Sequence, residues 1–308
     1  MRITAEDCHS FYSGSLRGVL RTLKSQDILL HVQTLILDGL SVTAELCCEI
    51  INDPSYSVRM LSIRDVRNLN YGILCGALQY ACRISRPDNA PRLKALYVFG
   101  SRELPHVPSS VPTKSPSHHS LSATLNERSQ RQLTSALRRD GDAWWDKKGR
   151  IVGKTIAPEW ASCLMSCEDL IVFDAVLCKG PRHVNSAASS SLPKSEHPAV
   201  TLFALSPCQR CKAAPEGVLD RSSSRFSLPL LSPPPLLSSS VSAAVTPRAG
   251  EGSFVARCAD CLRGRYCMSC HAWWCEDCYG GTQESEDTSL ASQEQIKVRI
   301  EFRCMCGA

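Results

Sequence analysis

The sequence predicts an α/β protein with a parallel βα region first and a small metal-stabilised region last. Apolar residues recur at strand and helix spacing over the first third of the chain. Closely spaced cysteine pairs mark the last third, and stretches rich in serine and proline lie between. A length of 308 residues allows about two domains.

The first region has the apolar spacing of a leucine-rich repeat. The spacing occurs in two copies and in the start of a third. The first copy comprises Val32, Leu35, Leu37, Leu40 and Val42, the second comprises Val58, Leu61, Ile63, Val66 and Leu69, and the third begins with Leu93, Leu96 and Val98. Alternate residues of a strand face one side, so each copy predicts a short strand. The alternative is a plain βαβαβ unit without repeat ancestry. Both interpretations predict parallel strands with right-handed crossovers.

Helices are predicted after the first two strands. Thr43 and Asn70 have side chains that cap helix N-termini. In the second helix the predicted apolar stripe comprises Ile73, Leu74, Ala77, Leu78 and Ala81. Cysteine is among the most buried residue types, so the cysteines of these helices are predicted to fill the core: Cys47, Cys48, Cys75 and Cys82.

Composition divides the chain into four parts. Residues 1–102 form the leucine-rich-repeat-like βα region, and residues 103–126 form a linker rich in proline, serine and histidine. Residues 127–207 form an α/β connecting region, and residues 208–308 form the Cys-rich module. Inside that module, residues 212–256 are predicted to be a disordered insert, which a metal site tolerates because closure entropy grows only logarithmically with length.

The connecting region contains a predicted helix near Pro158 that leads into a strand. Cys163 and Cys167 share a face of that helix, and with Cys178 they fit either burial or a further metal site. Asp174, Arg182 and His183 form a polar constellation without the partners that a catalytic site needs.

Four Cys-x-x-Cys pairs carry the main chemical signal of the sequence. They supply the predicted metal ligands Cys208, Cys211, Cys258, Cys261, Cys267, Cys270, Cys275 and Cys278. Eight thiolates are the ligand count of two tetrahedral zinc ions. Because protein groups would fill all four positions around each ion, the predicted zinc is structural and not catalytic.

The pairing of these cysteines stays open. Sequential pairing joins the first two pairs around one ion and the last two around the other. Cross-brace pairing joins the first pair to the third and the second to the fourth. Cys304, Cys306 or His271 are further candidates that can replace one of these ligands.

The charge and the motifs of the sequence exclude several classes of function. The net charge of +5 is too small and too evenly spread to indicate nucleic acid by itself, and we do not expect nucleic acid as a partner. No run of ~18 apolar residues and no signal-peptide pattern occurs, so we expect reduced cysteines, no membrane span and a cytoplasmic or nuclear protein. Nucleophile elbows, phosphate loops and paired-carboxylate motifs do not appear, so the sequence predicts no enzyme.

Four stretches resemble fungal F-box proteins with leucine-rich repeats: LSIRDVRNLNYGILCGALQYACR, PRLKALYVFG, FDAVLCKGPRH and RYCMSCHAWWCEDCY. The resemblance implies a substrate-recognition component of a cullin-type (SCF) ubiquitin ligase, with a protein substrate and the ligase adaptor as partners. The Leu-Pro-led F-box is not recognisable before Leu30, so we expect an N-terminally truncated chain.

Two rival functions stay open. A RING-like zinc module would act directly as a ubiquitin ligase, although an ordinary RING has a Cys-x-His second pair where this chain has Cys258 and Cys261. A zinc-finger nucleic-acid-binding protein would show DNA affinity that falls with salt.

Overall fold

The computed structural model describes residues 5–100, 149–152, 156–178, 180–183, 198–201, 203–212, 231–236, 238–245, 255–267 and 270–279. These residues divide between two compact units. The first unit lies within residues 1–147, 170–174 and 229–246, and the second lies within 148–169, 175–228 and 247–308. The predicted linker, the residues around Trp144 and Trp145, and Cys304 and Cys306 lie outside the described residues.

Short strands alternate with helices along the chain. In order they are α1 (Ala5–Ser25), a 3-10 turn (Ile28–Leu30), β1 (Thr34–Ile36), α2 (Ala44–Asn52), β2 (Met60–Ser62), α3 (Tyr71–Ala81), β3 (Ala95–Tyr97), β4 (Gly149–Ile151), α4 (Glu159–Ser166), β5 (Val172–Phe173), β6 (Phe203–Leu205), α5 (Val241–Ala244), β7 (Val255–Arg257), α6 (Ala259–Leu262) and a 3-10 turn (Glu276–Cys278). None of the described helices combines the length and apolar character needed to cross a bilayer.

The first unit is built on a four-stranded parallel sheet in the order β1-β2-β3-β5. Leu35 is in register with Leu61, and Leu61 with Leu96, so these leucines form a row on one face. The predicted parallel arrangement of the first three strands is confirmed. The fourth strand comes from the predicted connecting region and pairs Leu96 with Phe173.

Side chains cap both crossover helices as predicted. The Thr43 hydroxyl accepts a hydrogen bond from the Leu46 N–H at 3.4 Å, and the side-chain oxygen Oδ1 of Asn70 accepts one from the Ile73 N–H at 3.1 Å. Each contact satisfies one of the N–H groups that a helix start leaves without a partner in the helix.

The apolar stripe of α3 differs from its prediction at one edge. Leu74, Leu78 and Ala81 are buried, but Ile73 is 44% exposed. The buried Cys75 lies on the other side of Leu74 around the helix and takes the expected place of Ile73. The predicted core role of Cys47, Cys75 and Cys82 is confirmed by their burial. Burial raises the pKa of the Cys47 thiol to about 12.

The residues with the repeat-like spacing include both buried and exposed positions. Eight of its residues are buried: Leu37, Val42, Val58, Leu61, Ile63, Leu93, Leu96 and Val98. Leu40, which holds a repeat position in the first copy, is 45% exposed. The structure thus contains a parallel βα core, but Leu40 is exposed where the repeat spacing predicts a buried residue.

Polar side chains form hydrogen bonds and an ion pair between the loops at the carboxyl ends of the strands. The Asp38 carboxylate accepts the Ser62 hydroxyl at 2.6 Å and pairs with the Arg64 guanidinium at 2.6 Å. The buried Asp174 carboxylate accepts backbone N–H groups at three consecutive positions, Val98, Phe99 and Gly100, at 2.7 to 3.1 Å. Asp174 therefore has a structural role, because charged acceptors satisfy buried N–H donors strongly.

Part of the predicted disordered insert is ordered. Residues 231–236 and 238–245, here called the strap, belong to the first unit. The Leu231 N–H bonds to the Phe173 carbonyl at 3.3 Å, and the Ser232 N–H bonds to the Ala244 carbonyl at 2.7 Å. Leu231 and Ala244 are fully buried. The leucine and alanine side chains of this segment cover apolar surface of the first unit.

The second unit contains a three-stranded antiparallel sheet in the order β4-β6-β7. Arg150 is in register with Ala204, and Ala204 with Ala256. Cys208 follows the end of β6, and Cys258 directly follows β7. The sheet therefore brings cysteines from two distant parts of the sequence into one small unit.

The burial pattern gives a test of the first unit's core. We expect Leu61→Ala to lower the free energy of unfolding by about 2–5 kcal/mol, because it removes a fully buried side chain. The matched control Leu40→Ala should change it by less than about 0.5 kcal/mol, because Leu40 is largely exposed. Urea unfolding followed by circular dichroism measures both, and equal losses would contradict the observed burial.

Candidate metal centres

The second unit brings together two groups of four potential metal ligands. Site A consists of Cys178, His183, Cys258 and Cys261, and site B consists of Cys208, Cys211, Cys275 and Cys278. Within each group, one donor atom from every residue lies within 4.8 Å of the others. All four side chains of site A are buried. The two groups are therefore positioned to hold metal ions.

Backbone N–H groups surround the sulfur of Cys178 in site A. The Gly180 N–H donates to Cys178 Sγ at 3.4 Å, and the Cys258 N–H donates to the same sulfur at 3.2 Å. His183 Nε2 lies 3.1 Å from Cys258 Sγ. Such N–H donors stabilise negative charge on sulfur, and the thiolate is the form that binds a metal. The neighbouring sulfurs of Cys258 and Cys261, together with burial, nevertheless raise the pKa of Cys178, and a metal ion bound to these sulfurs would offset that effect.

Gly180 allows the two halves of site A to approach each other. A Cβ at this position would collide with Cys261 Sγ and would lie 2.9 Å from Cys261 Cβ. Only glycine leaves that space empty. The segment from Cys178 to His183 thus wraps closely against α6, and the Arg182 guanidinium donates to the Asp260 carbonyl there.

The charges in site A favour a thiolate beside a positive group. Hydrogen bonds from Cys178, Cys261 and His183 lower the pKa of Cys258. The hydrogen bond to Cys258 raises the pKa of His183 to about 10. A metal ion would supply the same positive charge at this place, with His183 neutral and bound through a ring nitrogen.

Site B has two buried and two more accessible members. Cys208 and Cys275 are buried, Cys278 is half-buried and Cys211 is exposed. The Cys275 N–H donates to Cys208 Sγ at 3.3 Å. Burial raises the pKa of Cys208, but backbone N–H donors, with Cys275 first, outweigh this effect and lower it to about 7.

The sulfur spacing in site B fits tetrahedral coordination. Cys211 Sγ and Cys275 Sγ are 3.8 Å apart. Four sulfurs at about 2.3 Å from a central ion would be about 3.8 Å from one another. The two sulfurs are therefore already at the separation that a shared metal ion requires.

A β-hairpin connects the two sites through the core of the unit. The Cys267 N–H bonds to the Ala272 carbonyl at 2.8 Å, and the Trp274 N–H bonds to the Arg265 carbonyl at 3.0 Å. Trp273 is almost completely buried, and its indole N–H donates to the Ser206 carbonyl at 2.6 Å. It packs in one cluster with the apolar side chains Leu205, Val255, Leu262 and Tyr266.

The ligand pairs interleave along the chain. In sequence order the pairs are Cys178 with His183, Cys208 with Cys211, Cys258 with Cys261, and Cys275 with Cys278. The first and third pairs form site A, and the second and fourth form site B. The topology is a cross-brace, but its pairs differ from both pairings considered from the sequence.

Six of the eight cysteines predicted as ligands lie in the two sites. Among the described residues, Cys267 and Cys270 belong to neither group, and Cys267 is buried. His271, the possible substitute ligand, is also outside both sites, with Nδ1 2.6 Å from the Tyr266 hydroxyl.

Cys178 and His183 are potential ligands that sequence reasoning missed. Cys178 was grouped with Cys163 and Cys167, which are buried but belong to neither site. His183 was grouped with Asp174, which belongs to the first unit. The available signal was a cysteine and a histidine five residues apart around a Gly-Pro turn, directly after a predicted strand.

Comparisons of this chain with protein-family models, with curated proteins and with solved structures find no match. Interpretation of the two sites therefore depends on their geometry and donor atoms.

Replacing Cys178 tests the composition of site A. We expect purified Cys178→Ser to bind one metal ion fewer per chain than wild type, because serine is a much poorer ligand than a thiolate. Its matched control is Cys163→Ser, also a buried cysteine but outside both sites, which should keep the full metal content. Inductively coupled plasma mass spectrometry gives the stoichiometry, and an unchanged metal content in Cys178→Ser would exclude Cys178 as a ligand.

Proposed function

We propose that both sites hold zinc. Thiolate and imidazole donors suit this ion, and structural zinc sites are four-coordinate and tetrahedral. Site A offers three sulfurs and one imidazole, and site B offers four sulfurs. Both sets match common zinc-ligand combinations, and the 3.8 Å sulfur separation in site B supports the assignment.

The zinc ions have a structural role in this proposal. A catalytic zinc keeps one position for water or substrate, whereas each site here offers four protein donors. Zinc binding contributes about 10–16 kcal/mol to the folding of comparable small sites. This contribution adds to the burial of the apolar cluster around Trp273.

We propose further that the chain is a non-catalytic interaction protein that recognises the substrate of a cullin-type ubiquitin ligase. The closed geometry of the two metal sites is the observation that carries the non-catalytic part. The likeness of four sequence stretches to fungal F-box proteins supports the ubiquitin pathway. In this account the βα region recognises a protein target and the zinc unit supplies a rigid second surface.

A RING-like ubiquitin ligase is the second candidate, and the interleaved ligand pairs favour it. A RING joins its first and third pairs around one ion and its second and fourth around the other, as this chain does. The donor order differs, however. The histidine of this chain belongs to the first pair, and the second pair is Cys208 with Cys211.

A reconstituted ubiquitination assay separates these two functions. The chain is incubated with ubiquitin, activating enzyme and a panel of conjugating enzymes, without cullin subunits. We expect no ubiquitin chains, because in this proposal the cullin complex and not the zinc unit recruits the conjugating enzyme. Chains formed by the protein alone, and lost in Cys275→Ser, would establish the RING-like function instead. Recovery of the adaptor and cullin by affinity purification with mass spectrometry would support the cullin-dependent function, and recovery of neither would contradict it.

A further inference from the structure

The side chain of Arg265 lies between the two candidate metal sites. Arg265 is only 4% exposed and belongs to the hairpin. Its Nη2 atom donates to the carbonyl of Cys261, a member of site A. Its Nη1 atom donates to the Trp274 carbonyl at 3.3 Å, one residue before Cys275 of site B. A single guanidinium thus contacts the backbone beside both sites.

An acidic side chain adds to the contacts of this guanidinium. Glu276 directly follows Cys275, and its Oε1 atom lies 3.6 Å from Nη2 of Arg265. Backbone bonds hold Arg265 in place, because its N–H donates to the Leu262 carbonyl at 2.9 Å and its carbonyl accepts the Trp274 N–H at 3.0 Å. The Nη2 atom therefore joins a residue of site A to a residue adjacent to site B.

Burial makes the contacts of this guanidinium costly to lose. Arginine keeps its charge in proteins, and a buried charge needs partners for its hydrogen-bond donors. The planar fork offers donors in fixed directions, so one arginine holds two carbonyls in a set arrangement. Movement of the backbone at either site takes one of these partners away from a buried donor, which raises the free energy. Order at one site therefore favours order at the other.

We propose that Arg265 is a positioning residue that couples metal binding at sites A and B. This inference rests on the proposed binding of zinc. The first ion fixes its own ligands and, through Arg265, the backbone beside the other site. The second ion then meets ligands that are already positioned, so it binds more tightly than it would alone. Chains with two ions and chains with none are therefore favoured over chains with one ion.

Chelator titration of the zinc-loaded, full-length protein tests the coupling in wild type. Native mass spectrometry counts the chains that hold two, one or no zinc ions at the midpoint, where half of the zinc has been removed. Independent sites give about half or more one-ion chains there, and coupling of about tenfold between equal sites lowers this fraction to about a quarter. We expect a wild-type fraction clearly below half. A fraction of half or more would overturn the coupling and leave the zinc assignment intact, whereas protein purified without zinc would refute the assignment itself.

Variants of Arg265 test whether this residue carries the coupling. We expect Arg265→Gln, which removes the charge and the fork, to at least about double the one-ion fraction. Arg265→Lys keeps the charge without the planar fork and should act in the same direction. Two controls should leave the fraction unchanged: Arg263→Gln removes a 62% exposed side chain that pairs with Asp260, and Trp273→Phe removes the indole bond to the Ser206 carbonyl. A wild-type fraction in both Arg265 variants would overturn the proposal.

Chains with one intact site separate coupling from local support of a single site. Cys178→Ser leaves site B intact, and Cys275→Ser leaves site A intact. Adding Arg265→Gln to either chain should change its zinc dissociation constant by less than about threefold, because no second ion is present to be coupled. A larger loss of affinity in either chain would show that Arg265 supports that site alone, and would contradict the coupling role.

Discussion

The convergence of cysteine and histidine side chains in two groups of four potential metal ligands is the constraint on which the arrangement of the second unit depends. Site A joins Cys178 and His183 to a pair near residue 260, and site B joins Cys208 and Cys211 to a pair near residue 277. Each site therefore closes a long loop, and such closures are entropically costly without a strong bond at the end. In the proposed account, metal coordination supplies bonds that close these loops, and the apolar cluster around Trp273 packs beside them.

The cross-brace also determines where the rest of the unit lies. Because the loops of the two sites overlap in sequence, neither site can form its full geometry without positioning part of the other. Cys258 and Cys275 lie at the two ends of one segment of the chain, and α6 and the hairpin lie between them. Trp273 fills the interior of this stretch. The first unit is ordered differently, by a parallel sheet with an apolar core and by polar contacts of Asp38 and Asp174.

Local signals in the sequence were sufficient for several elements. Thr43 and Asn70 identify helix starts because a cap is formed within three residues, and alternating leucines identify the short strands. The pairing of Phe173 with Leu96 has no local signal, since a two-residue strand joins the sheet across a long separation. Low-complexity composition does not show which surface the strap covers. The local Cys-x-x-Cys spacing does not show which cysteine pairs come together in space, so Cys267 and Cys270 could not be separated from the other pairs.

Zinc K-edge X-ray absorption on purified full-length protein tests the central claim most directly. Two zinc ions per chain in sites A and B would give an average first shell of seven sulfurs and one imidazole nitrogen for every two ions. We predict this mixed shell, with zinc–sulfur distances of about 2.3 Å. Protein that is folded in its second unit but contains no zinc would contradict the account, and a shell made of sulfur alone would exclude His183 as a ligand.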